Sequence, residues 1–228
     1  NLAVLSGERL GFRRGRRNPG TTTIRWDPAQ QVGPDAGCSG AQVAVGPNGE
    51  VYVAYLRYSD AQLFSYSPDG GNTFPSAQKN IVVSSVTPVD CLVTPDSWAR
   101  HNSFPTLGVS PVTGTIFVAW ADKRNGDDDI LLSRSRDGGN TWLAVPKRVN
   151  TDPRVPLYPI SQWHPALTVN SAGTLYVIFY DRRNDYYYNT ATLLYGASSL
   201  DEGDTFTNWR IADTVTDPYM FLDWASGS

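Results

Sequence analysis

Three stretches of this chain repeat one order of apolar and polar positions. AQVAVGPNGEVYVAY from residue 41, FPTLGVSPVTGTIFVAW from 104 and HPALTVNSAGTLYVIFY from 164 each begin with a short β run. A turn follows, at Pro47–Gly49, Thr113–Gly114 and Ala172–Gly173, and then a β-branched and aromatic run. Such runs bounded by turn residues predict antiparallel strands. A polar loop comes next, then a third run, QLFSYS, DILLSRS or TLLYGAS. A fourth is expected over Lys79–Val83, Leu143–Val149 and about Trp209–Ala212.

Between the third and fourth runs stands a repeated phrase. It reads SYSPDGGNTF from Ser65 to Phe74, SRSRDGGNTW from Ser133 to Trp142 and ASSLDEGDTF from Ala197 to Phe206. Its aspartates, Asp69, Asp137 and Asp201, stand 68 and 64 residues apart. A near-constant period of this length marks an array of supersecondary units. Each phrase has the chemistry of a tight turn. The Asp carboxylate can accept from backbone N–H groups one to three residues on, glycine supplies a positive φ, and Phe74, Trp142 or Phe206 can cap the hairpin. These positions read as scaffold. Four antiparallel strands per period is the plan of a propeller blade.

Ser-x-Asp-x-Gly-x-Thr-Trp/Phe in successive four-stranded units resembles the Asp-box (BNR) repeat of the sialidase-like β-propellers, over roughly residues 38–212. The resemblance implies an all-β fold, a β-propeller of four-stranded antiparallel blades. Three complete blades fall at about 38–85, 100–150 and 160–213, with partial blades over 1–37 and 214–228. Gly20 to Val32 is a worn copy of the phrase without its aspartate, and Tyr219–Trp224 reads as the first strand of a further blade. Sialidase propellers have six blades, so the chain is either part of a longer protein or closes a small four-bladed ring on its own ends. The missing initiator Met fits a processed piece.

The chain has 228 residues, is 40% hydrophobic and 12% aromatic, and can bury a full core. A net charge of −3 argues against nucleic-acid binding. The cluster Arg13, Arg14, Arg16, Arg17 is expected to be a solvated loop. No apolar run approaches the roughly 18 residues that span a bilayer. Cys38 and Cys91 each precede the first strand of adjacent blades, which makes a disulfide between them geometrically reasonable. An even cysteine count, many aromatics and few lysines favour a secreted or cell-surface protein.

Strand alternation puts the repeated turns on one rim, and the entries to strand one and the loops between strands two and three on the other. In sialidase-like propellers that second rim carries the substrate pocket. Here it holds His101, Trp163 and His164 at the strand-one entries, and Asp122, Arg124, Asp181, Arg183 and Tyr187 in the loops. Aromatic rings stack on sugars, arginine binds a sugar carboxylate bidentately, and a carboxyl pair or a Tyr with a carboxyl partner can cleave a glycoside. The catalytic candidates are therefore Asp122, Asp181 and Tyr187. The substrate-binding candidates are Arg124, Arg183, His101, Trp163 and His164. The function implied is binding or hydrolysis of a glycan, acidic by the sialidase resemblance. The alternative is a non-catalytic adhesion or assembly module that self-associates through open blade edges. An Arg-Ile-Pro motif, which sialidases carry near the start, is missing.

Asp-x-Arg-Asn recurs at Asp122–Asn125 and Asp181–Asn184, so a repeated Asp–Arg brace between blades stands beside the catalytic reading. The motifs imply no cofactor. Asp127–Asp129 offers hard oxygen ligands for calcium, or is a solvated loop.

Overall fold

The computed structural model describes residues 2–6, 9–34, 37–58, 60–89, 102–153, 160–185 and 191–215. Its strands fall into successive antiparallel sheets. The first contains β1 (Leu2–Ser6), β2 (Arg9–Arg13) and β5 (Gln30–Gln31), with β3 (Gly15–Arg17) and β4 (Ile24–Trp26) forming a separate two-stranded ribbon. Three four-stranded sheets follow in strict sequence order. The second sheet is β6 (Cys38–Val45), β7 (Val51–Arg57), β8 (Ala61–Ser67) and β9 (Ile81–Ser85). The third is β10 (Thr106–Val109), β11 (Ile116–Asp122), β12 (Asp129–Ser135) and β13 (Lys147–Arg148). The fourth is β14 (Gln162–Val169), β15 (Leu175–Asp181), β16 (Leu193–Ser199) and β17 (Thr207–Arg210). Their innermost strands touch in turn, β1 on β6, β6 on β10 and β10 on β14.

The sheets pack face to face because both faces of the second strand in each are apolar. In β7, Val51, Val53 and Tyr55 meet Leu10, Phe12 and Val32 of the first sheet. Tyr52, Ala54 and Leu56 meet Ile116, Val118 and Trp120 of β11. Phe117, Ala119 and Ala121, on the other face of β11, meet Leu175, Val177 and Phe179 of β15. Period-2 alternation thus sends odd and even residues into two different cores. Burying one such Val, Leu or Phe stabilises by about 1.5–3 kcal/mol.

The expected fourth strand Leu143–Val149 shrinks to Lys147–Arg148. Pro146 has no N–H to give the ladder, so pairing starts after it. The arginine cluster is solvated at Arg13, Arg16 and Arg17, as expected, but it is not a loop. Arg16 and Arg17 lie on β3, and Arg14 binds Asp27 at 2.9 Å and donates to the Gly70 carbonyl of the second sheet at 3.1 Å.

The three repeated turns share one set of hydrogen bonds around the Asp carboxylate. Ser67, Ser135 and Ser199 donate Oγ–H to the Asp carboxylates at 2.7 Å. The same hydroxyls accept the amides of Gly71, Gly139 and Gly203 at 2.7–2.8 Å. Asp69, Asp137 and Asp201 accept the amide of the threonine four residues on at 2.9 Å, as well as its hydroxyl. The expected reach of three residues is met by the Asp204 amide, 3.1 Å from Asp201, and the threonines extend it to four. Burial works against Asp137, yet the bonds from Thr141 and Ser135 lower its pKa to about 2. Hydrogen bonds led by Ser67 lower Asp69, and those led by Thr205 lower Asp201.

Each turn is also a socket for the sheet before it. Phe12, Phe64 and Leu132 occupy equivalent places in their sheets and press on Gly71, Gly139 and Gly203 of the next. The turn aromatics join this contact, with Phe74 5.1 Å from Phe12 and Trp142 edge-on to Phe64 at 5.1 Å. One position further out, Arg14, Tyr66 and Arg134 reach Asn72, Asn140 and Asp204, again equivalent residues of the next turn. In the fourth sheet both places change, to Gly196 and Ser198. Its outward face is open: Ile178 is 41% and Tyr180 40% exposed, where their counterparts in β7 and β11 are buried.

Candidate functional site

The rim opposite the repeated turns is built from the strand-one entries and the loops joining strands two and three. Asp122 ends β11 with no exposed surface. Its carboxylate accepts from Trp120 Nε1 at 2.8 Å, from the Arg124 amide at 2.9 Å and from the Arg124 guanidinium at 2.7 and 2.9 Å. Arg124 also donates to the Ser85 carbonyl of the second sheet, so the pair ties two sheets together.

Asp181 ends β15 in the same way and is equally buried. It accepts from the Arg183 amide at 2.7 Å and from its guanidinium at 2.6 and 2.9 Å. Burial pushes the Asp181 carboxyl up, and Arg183 pulls it back. Arg183 further reaches Asn208 at 3.0 Å and lies over the Tyr195 ring at 4.2 Å. Arg183 also stands 3.7 Å from Asp152, which follows β13 of the third sheet, so both pairs have the geometry of the brace. A proton donor must reach a glycosidic oxygen, and neither carboxylate meets solvent.

The acidic run is not a solvated loop either. Asp129 is fully buried against Arg148, which also holds Asp152 at 2.9 Å. Asn150 donates to Asp129 at 2.8 Å, Asp152 at 2.6 Å and Gln162 at 2.7 Å. Burial, then the neighbouring Asp129 charge, raises the Asp127 carboxyl. Among the described residues no group of three or more His, Cys, Asp or Glu side chains is arranged to hold a metal.

Trp163 is 6% exposed and belongs to the core between the third and fourth sheets. Its ring stacks with Tyr180 at 5.9 Å and carries the Arg182 guanidinium at 4.6 Å. Cys38 is buried under the first sheet, and burial raises its thiol. Cys91, His101, Tyr187 and Tyr219–Trp224 lie outside the described residues.

His164 is placed differently. It is exposed, and its φ of 50° puts a non-glycine residue in the left-handed region. It lines a concavity of about 250 Å³ between the inner strands of three sheets. Gln42 comes from β6, Asn102, Phe104 and Thr106 from the entry to β10, and Pro165 and Ala166 from β14. The eight sequence candidates therefore do not share one concavity. Of the six that are described, His164 alone lines it, while Asp122/Arg124 and Asp181/Arg183 form separate pairs with buried carboxylates. Gln42, Phe104 and Thr106 were missed. The available signal was Ser-Phe-Pro-Thr beside Trp-His-Pro-Ala, an aromatic-type residue before proline at one blade position.

No protein-family model matches the chain, and no curated protein matches it by sequence. Solved structures do. A polysaccharide lyase of family PL25, an ulvan lyase, is 12% identical with a TM-score of 0.56, covering 90% of this chain and 50% of its own. The α-L-arabinanase of Penicillium chrysogenum, complexed with arabinobiose, is 18% identical with a TM-score of 0.53, covering 80% and 51%. A Hadza microbial sialidase is 18% identical with a TM-score of 0.51, covering 75% and 37%. The chain spans about half the length of the first two and less of the third. What it shares with them is the fold, a nearly all-β, propeller-like succession of four-stranded antiparallel sheets.

Proposed function

We propose that this chain is a carbohydrate-active module built from sialidase-like propeller blades with Asp-box turns, secreted or displayed at the cell surface, which binds a glycan on the rim opposite those turns. The observation that carries this reading is the concavity between Gln42, Phe104 and His164, where the inner strands of three sheets converge. The neighbours of like fold are named as a sialidase, an arabinanase and a polysaccharide lyase, which supports a glycan ligand. Binding is the activity that the described residues support. Cleavage needs a carboxyl pair, or a Tyr with a carboxyl partner, facing the sugar, and no carboxylate is among the described residues that line the concavity. In this reading Asp122–Arg124 and Asp181–Arg183 are braces. The test is a glycan array with the full chain, followed by titration of each hit. Absence of binding across neutral and acidic glycans would overturn it.

A second reading has its own observation. The open face of the fourth sheet, with Ile178 and Tyr180 at 41% and 40% exposure, favours an assembly module that stacks a further sheet there. Concentration-dependent mass in sedimentation would support it.

A further inference from the structure

His164 sits where the register of β14 breaks, between Trp163 and Ala166. The register of β6 breaks at the same place, between Ser39 and Gln42. There the left-handed residue is Gly40, with φ of 65°. The same bulge is thus turned by glycine in the second sheet and by histidine in the fourth. An L residue resists this conformation, and Pro165 restricts the residue before it further. Bulges re-aim side chains beside functional sites. A strained polar residue that is exposed and lines a concavity points to a ligand.

The lining shows what kind of ligand. Phe104 offers a ring at 39% exposure, held over Gly40, where a Cβ would come within 2.4 Å of it. Asn102 accepts the Phe104 amide through Oδ1 at 3.1 Å, and its NH₂ group supplies donors to the lining. Gln42 adds a second amide. At about 250 Å³ the space lies just under the roughly 300–1,000 Å³ of drug-sized sites, and suits one ring.

Among the described residues no carboxylate or guanidinium lines it. The arginines described on this rim are engaged elsewhere: Arg57 with Asp60 at 3.2 Å, Arg124 with Asp122 at 2.7 Å, Arg148 with Asp152 at 2.9 Å and Arg183 with Asp181 at 2.6 Å. Arg182 is buried on Trp163. A sugar carboxylate would find no bidentate anchor among these described residues.

We infer that this concavity takes a neutral sugar ring, stacked on Phe104 and hydrogen-bonded through its hydroxyls to His164, Asn102 and Gln42. The inference rests on the glycan-binding reading and specifies its substrate class. Sugar acids, which the sialidase resemblance implies, are the competing outcome.

The experiment is calorimetric titration of the full chain with arabinotriose, galactotriose and xylotriose against trigalacturonate and 3′-sialyllactose. Two variants accompany it. His164→Gly matches Gly40, and His164→Asn keeps a residue that tolerates positive φ. Binding of a neutral trisaccharide at least tenfold tighter than either acidic one is expected. Either variant should weaken it about tenfold, the loss of a hydrogen bond or two, with the melting temperature of His164→Gly maintained or raised. Tighter binding of an acidic sugar, or unchanged neutral affinity in both variants, would overturn the inference and leave the glycan reading intact. Failure of all five sugars to bind would overturn both.

Discussion

The contact between successive sheets is tested most directly at two adjacent glycines. A Cβ on Gly139 would lie 2.2 Å from Phe64 Cε1, and φ there is 96°. A Cβ on Gly138 would meet nothing within 4 Å, at a φ of 73°. Both alanine variants carry the backbone penalty, about 1–2 kcal/mol, offset by about 0.4–1 kcal/mol from a less flexible unfolded chain. Gly138→Ala should therefore cost about 1 kcal/mol. Gly139→Ala adds overpacking, about 1–3 kcal/mol. Phe64 has no exposed surface, stacks on Tyr52 at 5.6 Å and meets Trp142 at 5.1 Å, so it cannot swing aside. The total for Gly139→Ala is about 2–4 kcal/mol, a large part of the roughly 5–15 kcal/mol that holds a domain folded. Urea denaturation followed by tryptophan fluorescence reads both values, since Trp120 and Trp142 border this core. Phe64→Leu in the Gly139→Ala background should recover part of the loss, because Leu132 makes the looser equivalent contact, 2.9 Å from a Cβ on Gly203. Equal losses in the two glycine variants would refute the socket argument.

Asp122→Ala leaves Arg124 and Trp120 Nε1 without their carboxylate. A cost of about 3–5 kcal/mol is expected, at the low end because Arg124 is 26% exposed; a cost under about 1 kcal/mol would remove the brace. The turn carboxylates Asp69, Asp137 and Asp201 have folded pKa values below the unfolded one, about 3.9. Their stabilisation is complete above that value and is lost as pH falls towards about 2, where Asp137 titrates. Melting temperature followed from pH 5 to 2 should drop through this window, less steeply in Asp137→Asn, and identical profiles would count against the turn bonds. Ile178→Asp, on the open face of the fourth sheet, should abolish any concentration-dependent association seen by sedimentation; association that survives it must use another surface. Intact-mass analysis after alkylation checks the disulfide proposed between Cys38 and Cys91, expected as a chain that takes up no label.

The order of strands and turns was legible because its causes are local. The run IFVAWAD from Ile116 to Asp122 is apolar on both faces, and so reads as a strand sandwiched between sheets. The turn phrases specify their own bonds: Ser135, Asp137, Gly139 and Thr141 lie within seven residues and need no distant partner. Where the reading failed locally, a single residue was responsible, as with Pro146 and the short β13.

The rim chemistry could not be read the same way. Asp122 beside Arg124 has one pattern whether the carboxylate faces a sugar or sinks into the seam where Arg124 bonds Ser85, 39 residues from it. Only burial and partners separate the two, and both depend on how sheets close on one another. The concavity is a stronger case. Gln42, Asn102, Phe104 and His164 come from three sheets and are neighbours only because β6, β10 and β14 pack side by side. The left-handed turn at His164 is likewise invisible in sequence, where Trp-His-Pro-Ala predicts extended backbone. Strand identity, turn chemistry and repeat period belong to the sequence, since each is set by interactions within a few residues. Which polar groups are sealed in ion pairs, and which remain to meet a ligand, was decided by the packing of whole sheets.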